Sequence, residues 1–224
     1  TLTARWVVPV AGPPLDRGVV TVRGDRVAAV EPHGARAADT DLGDVAIIPG
    51  LVNAHTHLDL SGARGLIPPT SPDRFTDWLR GVIAYRRGRS AADVAADVRA
   101  GLAECLRFGT TLVGDVAADG QTWDAVAAAP LRGVVFREMI GLSEPRARQA
   151  AADAAAWLAA VGGTNTCRAG LSPHAPYSVR QSLVVAGGRL CREGKRPLAV
   201  HLAESPAEVD LLYHRRGAFV PFLK

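Results

Sequence analysis

From about residue 50 onward, short apolar runs alternate with long helical segments, and this alternation restricts the chain more than any other feature. "GLVNAH" reads as a strand, and "SAADVAADVRAGLAECLRFG", residues 90–109, as an amphipathic helix with Ser90 as its N-cap and Gly109 as its stop. "TTLVGDV" and "GVVFREMIG" follow as strands two and three. A helix, "SEPRARQAAADAAAWLAAVGG", then begins near Ser143 or Glu144, with Pro145 in its first turn. "CRAGLSPH" is a fourth strand, "SVRQSLVVAGGRLCREG" a helix interrupted by Gly187-Gly188, and "PLAVHLAE" a fifth strand. Ser205-Pro206-Ala207-Glu208 is a capping box opening a last helix. Strands that alternate with covering helices predict an α/β protein with a parallel sheet.

Residues 1–48 have a different texture. "ARWVVPV", "GVVTVRGDRVAAVEP" and "VAIIP" are valine-rich runs, with Gly24-Asp25 as a hairpin turn. They predict a small β unit ahead of a main domain over 49–224.

With 48% hydrophobic and 21% charged residues, the chain can bury a sizeable core. The net charge of +4 is almost all arginine, since Lys195 and Lys224 are the only lysines. Its densest groups, Arg86-Arg87-Gly88-Arg89 and Arg146-Ala147-Arg148, are short and read as solvated surface. No long basic stripe points to nucleic acid. Three cysteines, Cys105, Cys167 and Cys191, show no metal spacing and argue against a disulfide framework. With no long apolar run and no signal-peptide pattern, the expectation is a soluble cytoplasmic protein acting on a small molecule, without membrane or nucleic acid, a homodimer being left open.

Four of the six histidines fall at predicted strand ends: His55 and His57 after strand 1, His174 after strand 4 and His201 at strand 5. Parallel α/β proteins build active sites at that end. Residues i and i+2 of a strand share a face, so His55 and His57 project together as a bidentate pair for a metal ion. Imidazole suits Zn²⁺, Fe²⁺ or Ni²⁺. His33 reads as a turn residue and His214 as helix surface.

"PGLVNAHTHLDLS", "GTTLVGD", "LSPHAPYSV" and "LAVHLAES", in that order, resemble the amidohydrolase superfamily. The resemblance is to its chlorohydrolase and aminohydrolase branch, with cytosine, guanine and S-adenosylhomocysteine deaminases. It implies a distorted (β/α)₈ TIM-type barrel, of which about five βα units are present, with a small β-sandwich begun by residues 1–48. It also implies that His55, His57 and His201 are metal ligands, and that His174 and the acid–base group Glu204 lie near the substrate. Asp115 and Glu138, ending strands 2 and 3, could line the pocket or instead bond loop amides or an arginine. Trp78 could line it too, or pack a helix core. Binuclear members bridge their metals with a carboxylated lysine at the end of strand 4; this chain has His174 there, so one divalent metal, with zinc favoured, is expected.

The resemblance implies hydrolytic deamination of an aminated purine, pyrimidine or adenine-type nucleoside, with a lean toward aminodeoxyfutalosine deaminases. A bound metal would bring its water's pKa toward about 7, supplying hydroxide, and Glu204 would move protons. A cyclic-amide or chloro-heterocycle hydrolase, and an inactive barrel fragment acting as a binding module, are the alternatives. Strand starts near Leu51 and Pro197 give about 37 residues per βα unit, so eight units need roughly 290. The sequence reading therefore expects a native protein continuing roughly 120–200 residues past Lys224, carrying a strand 6 histidine and a strand 8 aspartate.

Overall fold

A computed structural model describes residues 1–223 and divides the chain into two compact units, Thr1–Leu51 and Val52–Lys224. The first unit holds β1 (Leu2–Thr3), β2 (Trp6–Val7), β3 (Leu15–Asp16), β4 (Val19–Arg23), β5 (Arg26–Glu31), β6 (Thr40–Asp41) and β7 (Ala46–Ile47). They form two small sheets, ordered β5-β4-β1-β6 and β3-β2-β7. The β4–β5 hairpin turns at Gly24-Asp25, with Arg23 opposite Arg26. Val7, Val19 and Val20 are buried there.

After β8 (Leu51–Thr56), the second unit runs through α1 (Phe75–Arg87), α2 (Ala91–Arg107), β9 (Thr110–Ala117), α3 (Trp123–Ala128), β10 (Arg132–Met139), α4 (Glu144–Ala160), β11 (Cys167–Pro173), α5 (Gln181–Glu193), α6 (Pro206–His214) and α7 (Phe219–Phe222). The sheet order is β11-β10-β9-β8. β9 pairs with β10 and β10 with β11, both in parallel, with Val135 opposite Asp115 and Ala169. Chain order and sheet order therefore agree, and the strand ends that carry the chemistry lie side by side. No barrel is closed among the described residues.

The helices form where their sequences direct. Ser90 caps α2 by accepting the Asp93 N–H, and the Asp93 carboxylate accepts the Ser90 N–H in return. Val98 and Leu102 of α2 meet Val113 of β9, Val126 of α3 and Val135 of β10 in one apolar cluster. A second cluster joins Ala147 and Ala154 of α4 to Met139, Leu171 and Leu183. α5 runs unbroken through Gly187-Gly188. A Cβ at Gly187 would stand 3.0 Å from Pro173 Cγ and 3.3 Å from Met139 Sδ, so the bare position lets α5 lie close on the sheet.

Two local expectations change. The fifth strand shrinks to a single bridge between Leu171 and Leu198. Leu171 N–H donates to Pro197 O and Ala199 N–H to Leu171 O, but the next rung would need a donor at Pro173, which has no N–H. The His201 N–H donates instead to His174 O. The capping box at Ser205 is also altered. Ser205 Oγ accepts the Glu208 N–H, but the Glu208 carboxylate reaches past Ser205 to the Glu204 N–H.

The three cysteines are free thiols. Among the described residues, no helix is long and apolar enough to cross a membrane.

Candidate metal centre

His55 lies in β8, His57 immediately after it, and His201 in the extended segment beside β11. Their Nε2 atoms converge: His55 to His57 at 3.3 Å and His55 to His201 at 3.0 Å. One ligand atom from each of the three lies within 4.8 Å of the others. Tetrahedral ligands with zinc–nitrogen bonds of roughly 2.0–2.1 Å stand about 3.3 Å apart, so the spacing fits a small divalent ion.

The backbone sets the tautomers. His57 Nδ1–H donates to Val116 O at 2.9 Å and His201 Nδ1–H to His174 O at 3.0 Å. Each ring therefore presents a bare Nε2 to the shared centre, as outer hydrogen bonds do for metal-binding imidazoles. A proton on His55 Nε2 could bond one of the other two nitrogens, whereas with His55 protonated at Nδ1 all three lone pairs face one point, an arrangement that could hold a cation. Arg86 Nη2 also comes within 3.4 Å of His57 Nδ1, but that nitrogen cannot accept while donating to Val116, and the shorter bond defines its state. His57 is held down to about 3 by burial, then by the charges of Arg86, His201 and His55. His55 is lowered by burial and by His201, with the Glu204 charge acting in the opposite direction. Imidazoles so reluctant to bind protons stay neutral at pH 7, the form that binds metal.

His174 stands beside the three, its ring centroid 4.9 Å from that of His201. The Ser178 hydroxyl donates to Ala175 O and so accepts from His174 Nδ1–H at 2.6 Å. That leaves His174 Nε2 an acceptor. Burial, then His201, His57 and Arg86, hold this ring to about 3. The Glu204 carboxylate accepts the Tyr177 hydroxyl at 2.7 Å.

Asp115 resolves into the alternative of a carboxylate bonded to loop groups. It is fully buried, Oδ1 accepts the Leu58 N–H at 2.8 Å, and Oδ2 accepts the Thr122 hydroxyl at 2.5 Å. It does not line the cavity; it pins the chain one residue past His57. Burial drives its carboxyl up to about 6 against those two bonds. Trp78 is half-buried and stacks on Phe75 at 5.5 Å, so the cavity receives its neighbours on α1 instead. Glu138 does line the cavity, with Oε2 at 3.3 Å from Arg86 Nη1 and Oε1 at 3.8 Å from His174 Nε2.

Arg86 corrects the reading of its segment as solvated surface. It reaches inward to Asp59 Oδ2 at 2.9 Å as well as to Glu138, and Arg89 pairs with Asp97 at 2.7 Å. Of the three arginines in that group only Arg87 is exposed. Burial pushes the Asp59 and Glu138 carboxyls up while Arg86 pulls them down. The signal was present in the spacing: Leu79, Val82, Ile83 and Arg86 share one helix stripe. With Ile140, Leu142 and Phe222, these residues line a cavity of about 500 Å³ whose polar groups include Glu138, His174 and Tyr177.

A parallel α/β sheet with histidines gathered at its strand ends defines a class, and residues 46–217 match the model of the Amidohydrolase family, so the chain belongs to that family. It is 31% identical over 227 residues to the 5-methylthioadenosine/S-adenosylhomocysteine deaminase of Moorella thermoacetica, covering 95% of this chain and 51% of that protein. It is 32% identical over 203 residues to the aminodeoxyfutalosine deaminase of Deinococcus radiodurans, covering 87% and 46%. In fold it is similar to the Helicobacter pylori aminofutalosine deaminase complexed with methylthio-coformycin, at a TM-score of 0.81 and 21% identity, covering 99% and 55%. A zinc-bound adenosine deaminase from Xanthomonas campestris gives 0.76 at 23% identity, covering 99% and 53%. The chain spans about half the length of the curated relatives it matches.

Proposed function

We propose that the protein is a metal-dependent hydrolytic deaminase of an adenine-type nucleoside. The observation that carries this is the convergence of three Nε2 atoms, two with Nδ1 committed to backbone carbonyls, beside an apolar cavity. His55, His57 and His201 would hold one divalent ion. Zinc is the proposed metal because the donor set and spacing suit it, and a neighbour in fold carries it. When bound, the metal activates water for attack at neutral pH.

The protein's own groups do the rest. Glu204 takes a proton from the attacking water and delivers it to the ring nitrogen beside the carbon that bears the amine. It then takes the remaining proton from the hydroxyl now on that carbon and passes it to the departing amine, so that the carbonyl forms as the C–N bond breaks and ammonia leaves. His174, neutral and with Nε2 as acceptor, takes a hydrogen bond from the substrate and orients it. Glu138 is held by Arg86 beside His174, where a carboxylate can accept from substrate hydroxyls. The cavity's aliphatic walls suit an apolar nucleoside substituent, such as the methylthio group of 5-methylthioadenosine. The relatives' names support that substrate class, including the lean toward aminodeoxyfutalosine.

Ammonia release tests this. The metal-loaded protein, from its complete reading frame, is assayed with 5-methylthioadenosine, S-adenosylhomocysteine, aminodeoxyfutalosine, adenosine and cytosine, beside a cyclic amide and a chlorotriazine. Ammonia from the substituted adenosines is expected. Turnover only of the cyclic amide or the chlorotriazine would replace this reading with another hydrolase of the same family.

A further inference from the structure

The segment around Glu204 has no regular secondary structure, so no ladder holds the residue in place. Three features converge on it instead. The Tyr177 hydroxyl donates to Glu204 Oε2 at 2.7 Å, and Oε1 has no hydrogen-bond partner among the described residues. The Glu204 N–H donates to Glu208 Oε2 at 2.8 Å, and Glu208 has 0% exposure. Ala203, just before, takes φ of 58°, the left-handed region that costs an L-residue roughly 1–2 kcal/mol.

The two side chains are themselves well fixed. Tyr177 is 3% exposed, its ring centroid lies 4.3 Å from that of Phe219, and it meets His174 edge-on at 5.5 Å. Burial, then Glu204, pushes the phenol's pKa well above its ordinary value, so the hydroxyl stays a donor. A glutamate side chain has three rotatable bonds, and ordering it costs roughly 1.5–2 kcal/mol. A buried donor on one oxygen restricts that freedom before substrate arrives, and a buried acceptor on the Glu204 N–H holds the backbone from which the side chain extends.

We propose that Tyr177 and Glu208 are positioning residues for Glu204: Tyr177 occupies Oε2 and leaves Oε1 for proton transfer, and Glu208 fixes the backbone in the turn that Ala203 begins. This rests on the reading of Glu204 as the acid–base group. Tyr177 acts through Glu204 and not on the substrate ring, so its removal lowers kcat more than it raises KM.

A double-mutant cycle tests it, in the metal-loaded protein from its complete reading frame. Tyr177→Phe keeps the ring against Phe219 and removes only the hydroxyl. It is expected to lower kcat about tenfold or more with KM changed less, metal content unchanged, and little further loss when added to Glu204→Gln. Glu208→Ala is expected to behave likewise, and Glu208→Gln, which keeps an acceptor oxygen, to recover most of the loss. Equal fold losses from Tyr177→Phe in both backgrounds would mean a general structural role and overturn the proposal, as would wild-type kcat in Tyr177→Phe. If Tyr177→Phe unfolds, the Glu208→Ala cycle against Glu204→Gln decides by the same criteria. Normal turnover in Glu204→Gln would overturn both this proposal and the reading beneath it, whereas a collapse in Glu204→Gln beside an unaffected Tyr177→Phe would overturn the proposal alone.

Discussion

Asp115 shows how a residue that need not touch substrate can govern a site. Its two oxygens satisfy the Leu58 N–H and the Thr122 hydroxyl, both in the interior, directly after His57. Asp115→Ala leaves both donors buried without acceptors, each worth about 1–3 kcal/mol. The expected outcome is destabilisation by about 2–4 kcal/mol in urea unfolding, with weaker metal binding because the turn after His57 loosens. Unchanged stability would show that the turn holds without the carboxylate. His57 and His174 add a pH dependence. Both are held to about 3 in the folded protein, against 6.5 ordinarily. Between these values the unfolded chain binds the protons and the folded one does not, so their stabilising effect is present above 6.5 and is lost as pH falls toward 3. The slope is roughly 1.4 kcal/mol per pH unit per histidine. Asp115, raised to about 6, acts oppositely, favouring the fold as pH falls below 6. Asp59 and Glu138, also raised by burial, act with Asp115. The histidine contribution is therefore isolated as the stability difference between wild type and His174→Asn, read from urea unfolding of metal-free protein at stepped pH and expected to shrink as pH falls below 6.5. A flat difference from 6.5 to 4 would contradict it.

At the scale of elements, Gly114 sets the distance between β9 and β8. A Cβ there would stand 2.4 Å from Ala54 O, a backbone atom that cannot move without shifting His55. Gly114→Val is expected to lower the thermal midpoint and to weaken metal affinity together, because the same displacement does both. Loss of one without the other would separate the strand contact from the site. α2, α4, α5, α6 and β8 to β11 were legible in the sequence, because capping residues and apolar periodicity act locally. The four histidines that gather here were legible as a set, because each falls at the end of an apolar run that the sequence marks as a strand, although the run before His201 forms only a single bridge. Three things were not. The fifth strand fails because of a proline on its neighbour, a property of the pairing and not of "PLAVHLAE" itself. Arg86 reads as surface beside Arg87 and Arg89 until its partners Asp59 and Glu138, distant in sequence, are brought under it. Tyr177 and Glu208 are ordinary residues in the sequence, and only the fold directs them to Glu204.

On the scale of the whole molecule, the second unit is an open parallel sheet whose chemistry gathers at one end. β8 ends the sheet order on one side, and the segment after Pro197 runs along β11 on the other. Leu198, Val200 and Leu202 are more than a third exposed, at 41%, 44% and 67%, and alternate as one face of that segment. Even so, the outermost segments of the sheet both deliver histidines to one point: His55 and His201 are 146 residues apart, with Nε2 atoms at 3.0 Å. That long-range convergence is the central claim, and metal content tests it most directly. Elemental analysis of the purified protein after zinc loading and dialysis is predicted to give one zinc per chain. The stoichiometry should fall to near zero in His57→Ala and in His201→Ala, with the fold retained by circular dichroism. One zinc per chain retained in either folded variant would contradict the account.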